Sequence, residues 1–382
     1  MRVVVVGGGI VGLASAYYLA ERGAEVVVCE QSSLGAGSTE RSAGGIRQQF
    51  STRVNVELSR ASVPVWENFE SEFGVDIQFR RPGYLLVARE QSTAAAFAEN
   101  VAMQNDCGVP SELLSPAEAR ERCPELRAEE FVAATYSPTD GFADPHLALQ
   151  GFAAGARDAG VEIVTGVTVT DVLRPDRGVA GVATTEGRLD ADVVVNAAGP
   201  WAHEVAAMAG LTLPVAPRRR SVAVVDPEVP VPESVPLTID LDSGAYFRPE
   251  RDGAALVGGH FADHDPDADP DGFARSPGLD WTAEALERAA DCADYFGPGT
   301  QVRRGWSGLY AVTPDHHPIV EETIPGFVNA VGFSGHGFQQ APATGGVVAD
   351  LVHDGDTSLV DGSRLTSERF EDGQTVSERN VA

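Results

Sequence analysis

Gly7, Gly9 and Gly12, spaced as Gly-x-Gly-x-x-Gly, and Glu30 beyond them form a set suited to holding a dinucleotide. Gly7 allows a tight turn, Gly9 lets the backbone approach a pyrophosphate, and Gly12 lets the following helix pack close on the preceding strand. Ile10 and Val11 open that helix, whose free N–H groups and partial positive charge suit phosphates. A carboxylate at Glu30 can bond ribose hydroxyls and disfavours a 2′-phosphate. The glycine spacing alone is a weak signal, and its surroundings strengthen it. Val3-Val4-Val5-Val6 reads as a buried strand, residues 13–22 as a helix, and Val26-Val27-Val28 as a second strand ending at Cys29-Glu30. Strand, glycine turn, helix, strand and acid are the elements that must position a dinucleotide. They do not choose between a nicotinamide and a flavin ring.

A chain of 382 residues has room for two domains, and 43% hydrophobic residues can bury a sizeable core. The net charge is −28, from 56 acidic residues against 28 basic ones, and the sequence contains no lysine. Such a surface repels nucleic acid and anionic membranes. A charge this large costs stability by self-repulsion unless salt screens it, which points to a salt-adapted cytoplasm. Without lysine there is no Schiff-base chemistry, and any cationic contact to a substrate must come from arginine or histidine. Cys29, Cys107, Cys123 and Cys292 are scattered with no CxxC pair, which argues against a zinc site or a disulfide framework and for a reducing compartment. No signal peptide precedes the first strand and no apolar run reaches the ~18 residues of a membrane span, so the expectation is a soluble, cytoplasmic protein. His316-His317 lacks a third ligand at suitable spacing. The acidic run 263–272 superficially resembles a calcium loop, but it contains Pro270 and places Gly278 where a glutamate is required. No metal site is expected.

Residues 54–73 read as mostly helical, with Trp66, Phe69 and Phe73 as a core stripe and Pro64 kinking or dividing the helix. A strand is expected at 83–87 and a polar helix at 91–108. Further helices should open at Ser115-Pro116 and at Asp144-Pro145. Short strands at 161–164, 167–173 and 179–184 precede Val193-Val194-Val195, which ends in Asn196-Ala197-Ala198-Gly199. Small residues at the carboxyl end of a strand let a ligand touch it. From Pro214 to about Arg304 strands alternate with prolines, the texture of a mixed or antiparallel sheet. A glycine-rich α/β texture then returns with a strand at 327–331, the turn Gly332-Phe333-Ser334-Gly335-His336-Gly337-Phe338 and a helix at 342–352. The polar segment after Phe370 is expected to be disordered.

Two distant segments therefore have the character of a nucleotide site. A helix N-terminus after Gly335 suits the negative charge at the N1/O2 edge of a reduced flavin, and a nicotinamide ring acquires no such anion. Together with the stretches VVVGGGIVGLASAYYLAERGAEVVVCE, GSTERSAGGIRQQFST, VVVNAAGPWA, AYFRPERDG, TPDHHPIV and GFSGHGFQQAP, the chain resembles the FAD-dependent amine and amino-acid oxidoreductases. That family includes D-amino acid oxidase, glycine oxidase, sarcosine oxidase and dimethylglycine dehydrogenase. The resemblance covers nearly the whole chain. GSTERSAGGIRQQF is most similar to the sarcosine oxidase β-subunit-like branch, which also holds proline dehydrogenase catalytic subunits and a mitochondrial assembly factor for respiratory complex I.

The resemblance implies an α/β fold: a split Rossmann-type FAD-binding domain (1–80, 141–213 and 305–360) with a mixed or antiparallel-sheet substrate domain (81–140 and 214–304), followed by a polar tail (361–382). It implies that Gly7, Gly9, Ile10, Val11, Gly12, Glu30 and Gln31 hold the ADP half. Ser38, Arg41, Ser42 and Gly44 would wrap the pyrophosphate and ribityl chain. Val169, Ala198, Gly199 and Gly308 would lie near the cofactor, and Gly335, His336, Gly337, Phe338 and Gln339 near the flavin ring. Arg47 stands where monomeric sarcosine oxidases place an arginine whose fork pairs with the substrate carboxylate. Tyr246 and Arg248 lie in the strand that faces the flavin, and His336 would tune local polarity or serve packing.

Departures from the family pattern refine what it implies. Gln339 replaces the lysine that follows GHGF in some sarcosine oxidases, and the oxygen-activating lysine is excluded by composition. No cysteine lies at 305–310, where some relatives attach flavin covalently. Noncovalent FAD is expected, and of the two readings, oxidase or dehydrogenase, a dehydrogenase that passes electrons to a carrier or a second oxidoreductase subunit fits better than a fast O2 oxidase. The expected reaction moves hydride from the C–N bond of a small amino acid or N-methyl amino acid to flavin N5, giving an imine that hydrolyses. Arg47, with Arg248, would fix the carboxylate. Two rival readings share the motifs: a flavoprotein that mainly binds a partner, and a hydroxy-acid dehydrogenase on the same fold.

Overall fold

The computed structural model describes residues 1–175, 178–261, 265–371 and 375–381; Asp263 and His264 of the acidic run lie outside these. The strand Arg2–Val6 shows how the amino-terminal valines organise the first half of the molecule. Successive side chains of a strand point to opposite faces. Val3 and Val5 pack with the helices Ile10–Glu21, Pro145–Asp158 and Gly337–Asp354. Val4 and Val6 pack on the other face with Val169, Val172 and Val182 of a three-stranded antiparallel sheet and with Val205 of the helix Ala202–Met208. A sheet covered on both faces reads as an unbroken apolar run. The order of this six-stranded sheet is Ile319–Ile324, Phe327–Val331, Val193–Asn196, Arg2–Val6, Glu25–Glu30, Glu162–Thr165. All neighbours run parallel except the first pair. The strand order turns around Arg2–Val6, and both the turn Gly7–Gly9 and the small residues after Asn196 leave from the carboxyl edge at that point, where open α/β sheets take ligands.

The second half is an eight-stranded mixed sheet, ordered Gln301–Val312, Ala216–Asp226, Ala255–Gly259, Ala245–Pro249, Leu237–Asp240, Tyr84–Ala88, Ala133–Ser137, Glu112–Leu114. Its faces differ. Leu85, Val87, Ala223, Val225, Phe247 and Val257 bury against the helix Leu279–Cys292 and its neighbours. The alternate residues Tyr84, Leu237, Ile239, Tyr246 and Val222 face a cavity shared with the first sheet.

Several expectations change. Residues 305–312, expected with the cofactor domain, run in the eight-stranded sheet, paired with Ala216–Asp226 from Ala216↔Val312 to Asp226↔Gln301. This strand has Gly305 and Gly308 inside it, which hid its length in the sequence. The helix Leu279–Cys292 stands in a stretch read as strands and prolines. Its buried face rests on Ala285, Ala289 and Cys292, residues too small to make an apolar stripe conspicuous. Pro64 lies inside the helix Arg53–Glu67, and the division comes four residues later at Asn68, before the short helix Phe69–Phe73. The polar tail is not a loose end. It forms short 3-10 turns at Gly362–Leu365 and Ser367–Phe370, and Leu365, Glu378 and Asn380 are buried.

Candidate functional site

A cavity of about 800 Å³ lies between the two sheets. The glycine turn forms one wall. At Gly7 φ is +111°, and a Cβ there would stand 2.5 Å from the Ala197 carbonyl oxygen; a Cβ on Gly12 would stand 2.0 Å from that of Gly7. The cradle therefore exists only with glycine at both positions. The helix Ile10–Glu21 starts at Gly9 with no side-chain cap of its own and no acid in its first turn. Thr39 Oγ1 accepts the Ile10 N–H at 3.1 Å from across the cavity wall. The Glu30 carboxylate closes the turn by accepting the Gly8 and Ser32 N–H groups, each at 2.8 Å.

Residues 36–42 bridge the two sheets. The Arg41 guanidinium donates to the Ala36 and Gly37 carbonyls, which fixes the loop's shape. Ser38 Oγ donates to the Leu309 carbonyl at 2.6 Å, and Trp306 Nε1 donates to the Arg41 carbonyl at 3.0 Å. The loop is thereby sewn to the strand Gln301–Val312.

Arg47 lies in the wall beneath the eight-stranded sheet, 5% exposed. Its Nη1 donates to the Gln49 carbonyl at 2.7 Å, its Nη2 donates to the Asn380 carbonyl, and the guanidinium lies 4.2 Å from the centroid of the Phe50 ring. Burial pulls its pKa down, and the Glu378 carboxylate acts most strongly to hold its charge. His336 Nε2 stands 3.3 Å from Arg47 Nη2. A guanidinium only donates, so Nε2 is the acceptor and the ring proton sits on Nδ1. Burial first, and then the Arg47 charge, push the His336 pKa well down, so the imidazole is neutral. Its Nδ1 is buried without a partner among the described residues.

Three phenols, Tyr84, Tyr246 and Tyr310, complete this wall. Burial raises the pKa of each, so each keeps its proton and can donate. Each sits where a glycine has made room: a Cβ on Gly45, Gly258 or Gly335 would meet the Tyr84, Tyr246 or Tyr310 ring system at about 2.2–2.3 Å. Leu237 and Ile239 supply apolar surface between them.

The structure brings most of the expected residues together. Gly7, Gly9, Ile10, Val11, Glu30, Gln31, Ser38, Arg41, Ser42, Val169, Ala198, Gly199, Gly308, Gly335, His336, Gly337, Phe338, Gln339, Arg47 and Tyr246 all line the one cavity. Three do not. Gly12 acts behind the wall, where it lets the helix meet Gly7. Gly44 makes a turn, at φ +73°, against Ala143. Arg248 is set back: its Nη2 pairs with Glu250 at 2.8 Å and its guanidinium stacks 4.5 Å from the Phe142 ring. It shares a sheet face with Tyr246 but is not among the residues that line the cavity with Arg47. Gln339 Oε1 accepts the Arg47 backbone N–H at 2.6 Å, which ties the first turn of the helix Gly337–Asp354 to the Arg47 segment.

Sequence reasoning missed Thr39, Tyr84, Tyr310, Trp306, Glu378 and also Arg220, which lines the cavity and pairs with Asp265 at 2.8 Å. Thr39 sat within the quoted GSTERSAGG stretch. Tyr84 begins the strand after Gly83, and alternation alone could have turned it inward. Arg220 and Glu378 carry no local signal. Among the described residues no group of three or more His, Cys, Asp or Glu is placed to hold a metal ion, and no helix is long and apolar enough to cross a membrane. His317 belongs to a structural pair, with Nδ1 3.2 Å from Asp315.

The donor set fits FAD: a glycine cradle that any Cβ would fill, an acid at the end of the second strand, and an imidazole beside a helix N-terminus whose Nδ1 has no partner among the described residues. Over 438 aligned residues the chain is 32% identical to FAD-dependent oxidoreductase domain-containing protein 1 of Xenopus laevis, spanning 99% of this chain and 84% of that protein. It is 26% identical to sarcosine oxidase subunit beta of an Arthrobacter species, over 100% and 93% of the two chains. In structure it is similar to L-proline dehydrogenase of P. horikoshii, with a TM-score of 0.88, 34% identity and 97% and 98% of the chains superposed. Residues 2–351 match a single family along almost their whole length, and the chain belongs to it: the FAD dependent oxidoreductases of the DAO family.

Proposed function

We propose that this enzyme oxidises the C–N bond of a small amino acid or N-methyl amino acid. The observation that carries the reading is the wall of Arg47, neutral His336 and three protonated phenols beneath the eight-stranded sheet. An arginine there suits a carboxylate, and Tyr84, Tyr246 and Tyr310 can donate further hydrogen bonds to it. The buried surroundings and the Arg47 charge disfavour an ammonium, so the amine is held in the neutral form that can release hydride. FAD, when bound, supplies the two-electron acceptor. The glycine turn, Glu30 and the loop 36–42 would hold its nucleotide half, and residues 335–339 its ring. The imine leaves to hydrolyse in water, and no side chain is needed as a nucleophile.

The proteins it resembles support this substrate class: one is named for sarcosine and another for L-proline. The first is a subunit, which supports a second oxidoreductase subunit or carrier as electron acceptor. The net charge of −28 supports a protein adapted to high salt, whose melting temperature should rise with added KCl. The test is an anaerobic titration of the holoenzyme with sarcosine, dimethylglycine, glycine, L- and D-proline, D-amino acids and hydroxy acids. Bleaching of the flavin band by an amine, and not by hydroxy acids, is expected. A flavin that no amine bleaches would sink the proposal.

A further inference from the structure

The segment 375–381 packs against Arg47 without lining the cavity, and its side chain Glu378 is 1% exposed. Six donors converge on that carboxylate. Oε1 accepts the Ser51 N–H at 2.7 Å, the Ser51 hydroxyl at 2.6 Å and the Asn380 N–H at 3.0 Å. Oε2 accepts the Thr52 N–H at 3.2 Å, the Thr52 hydroxyl at 2.7 Å and Asn55 Nδ2 at 3.2 Å. Thr52 precedes the helix Arg53–Glu67, so a residue more than 320 positions away does the work of an N-terminal cap. The same segment reaches the guanidinium itself, since Arg47 Nη2 donates to the Asn380 carbonyl. Asn380 Nδ2 donates to the Gln49 carbonyl at 3.2 Å, and Gln49 in turn accepts from Arg47 Nη1. The segment is anchored at its other side by the Glu378 N–H on the Asp315 carbonyl at 3.0 Å.

We propose that Glu378 is a positioning residue of the active site: with the Asn380 carbonyl it clamps residues 47–55 and sets where the Arg47 guanidinium meets a substrate carboxylate. A buried arginine without a rigid seat turns among several hydrogen-bond arrangements, and the N–H groups that Arg47 has left, on Nε and Nη1, lose the fixed aim that a charge-assisted bond to a carboxylate needs. Glu378 supplies both the seat and a balancing charge, without touching substrate or cofactor. The inference rests on Arg47 as the carboxylate contact, as proposed above.

The test compares the wild-type holoenzyme with Glu378→Gln and with Ser51→Ala. The serine variant loses one hydroxyl contact to Glu378 but buries no uncompensated charge. Flavin absorbance is titrated with acetate and with acetamide, its neutral isostere, after FAD content and thermal transition have been matched. Acetate should bind at least tenfold more weakly to Glu378→Gln, and a few-fold more weakly to Ser51→Ala, with acetamide unaffected; KM for a reducing amine should rise with little change in kcat. Equal acetate titrations in all three proteins, including no response from any, would overturn the inference. A protein that distinguishes acetate between these variants but is reduced by no amine would keep the clamp and remove the substrate reading. If Glu378→Gln does not fold, deletion of residues 371–382 with the corresponding peptide added back gives the same readout, and add-back that leaves acetate binding unchanged counts against the clamp.

Discussion

The two walls of the cavity are built in opposite ways. The wall of residues 7–42 is mostly backbone: glycines, N–H groups and one carboxylate that ties the turn. The wall of Arg47, Tyr84, Tyr246, Tyr310 and His336 is mostly side chain, gathered from segments scattered over the chain and held by contacts behind it. A backbone wall is specific about shape and tolerates no added atom. A side-chain wall is specific about charge and depends on its support.

Substitutions should separate the two. The largest effect is expected for Gly12→Val, whose branched side chain has no room beside the Gly7 carbonyl. The purified protein should contain almost no FAD, as read from the ratio of flavin to protein absorbance. Arg47→Gln should instead retain FAD and lose about 2–4 kcal/mol of substrate interaction, roughly thirty- to a thousandfold in kcat/KM. If that variant loses FAD as well, the two walls are not separable.

Asp140 sharpens the picture of the side-chain wall. It is fully buried behind Gln48, and burial raises its pKa from 3.8 to about 6. A carboxyl with a raised folded pKa binds its proton more tightly in the folded state. Its contribution is therefore fully present below pH 3.8 and is lost as pH rises through about 6. Asp140→Asn should remove that loss, gaining up to about 3 kcal/mol relative to wild type above pH 6.5 and little below pH 4. Thermal melts of both proteins across that range would show it. A constant difference between them would mean that Asp140 does not titrate there. The smallest effect is expected on the backbone wall from Glu30→Gln, which keeps one acceptor for the Gly8 or Ser32 N–H. FAD should bind about tenfold more weakly, near the ~1.5 kcal/mol difference between charged and neutral hydrogen bonds. A loss as large as that of Gly12→Val would show that Glu30 acts on more than hydrogen bonding.

The same contrast explains what could be read from the chain before its structure. Gly7 to Glu30 is legible because all its partners are local: the strand, the turn and the helix each specify the next. Arg47 was placed by resemblance, but its contacts to Gln49, His336 and Asn380 join positions up to 333 residues apart, and no local pattern encodes them. Tyr246 and Arg248 were placed together by resemblance, as members of one strand, and no local pattern shows that Glu250 and Phe142 engage the Arg248 guanidinium while Tyr246 lines the cavity. The tail was misread because polar composition was taken to mean solvent. Glu378 is buried because six donors satisfy it, and composition counts no donors.

The seam between the loop 36–42 and the strand Gln301–Val312 carries a consequence for time rather than affinity. Ser38 meets Leu309, and Arg41 meets Trp306, across separations of 271 and 265 residues. The pocket is therefore finished only when two remote parts of the chain have docked. A cofactor covered by this loop would be seated late in folding and would leave more readily whenever the seam parts. Its exchange half-life follows how often that local opening occurs, and two enzymes with equal affinity for FAD could hold it for minutes or for days according to this stitching.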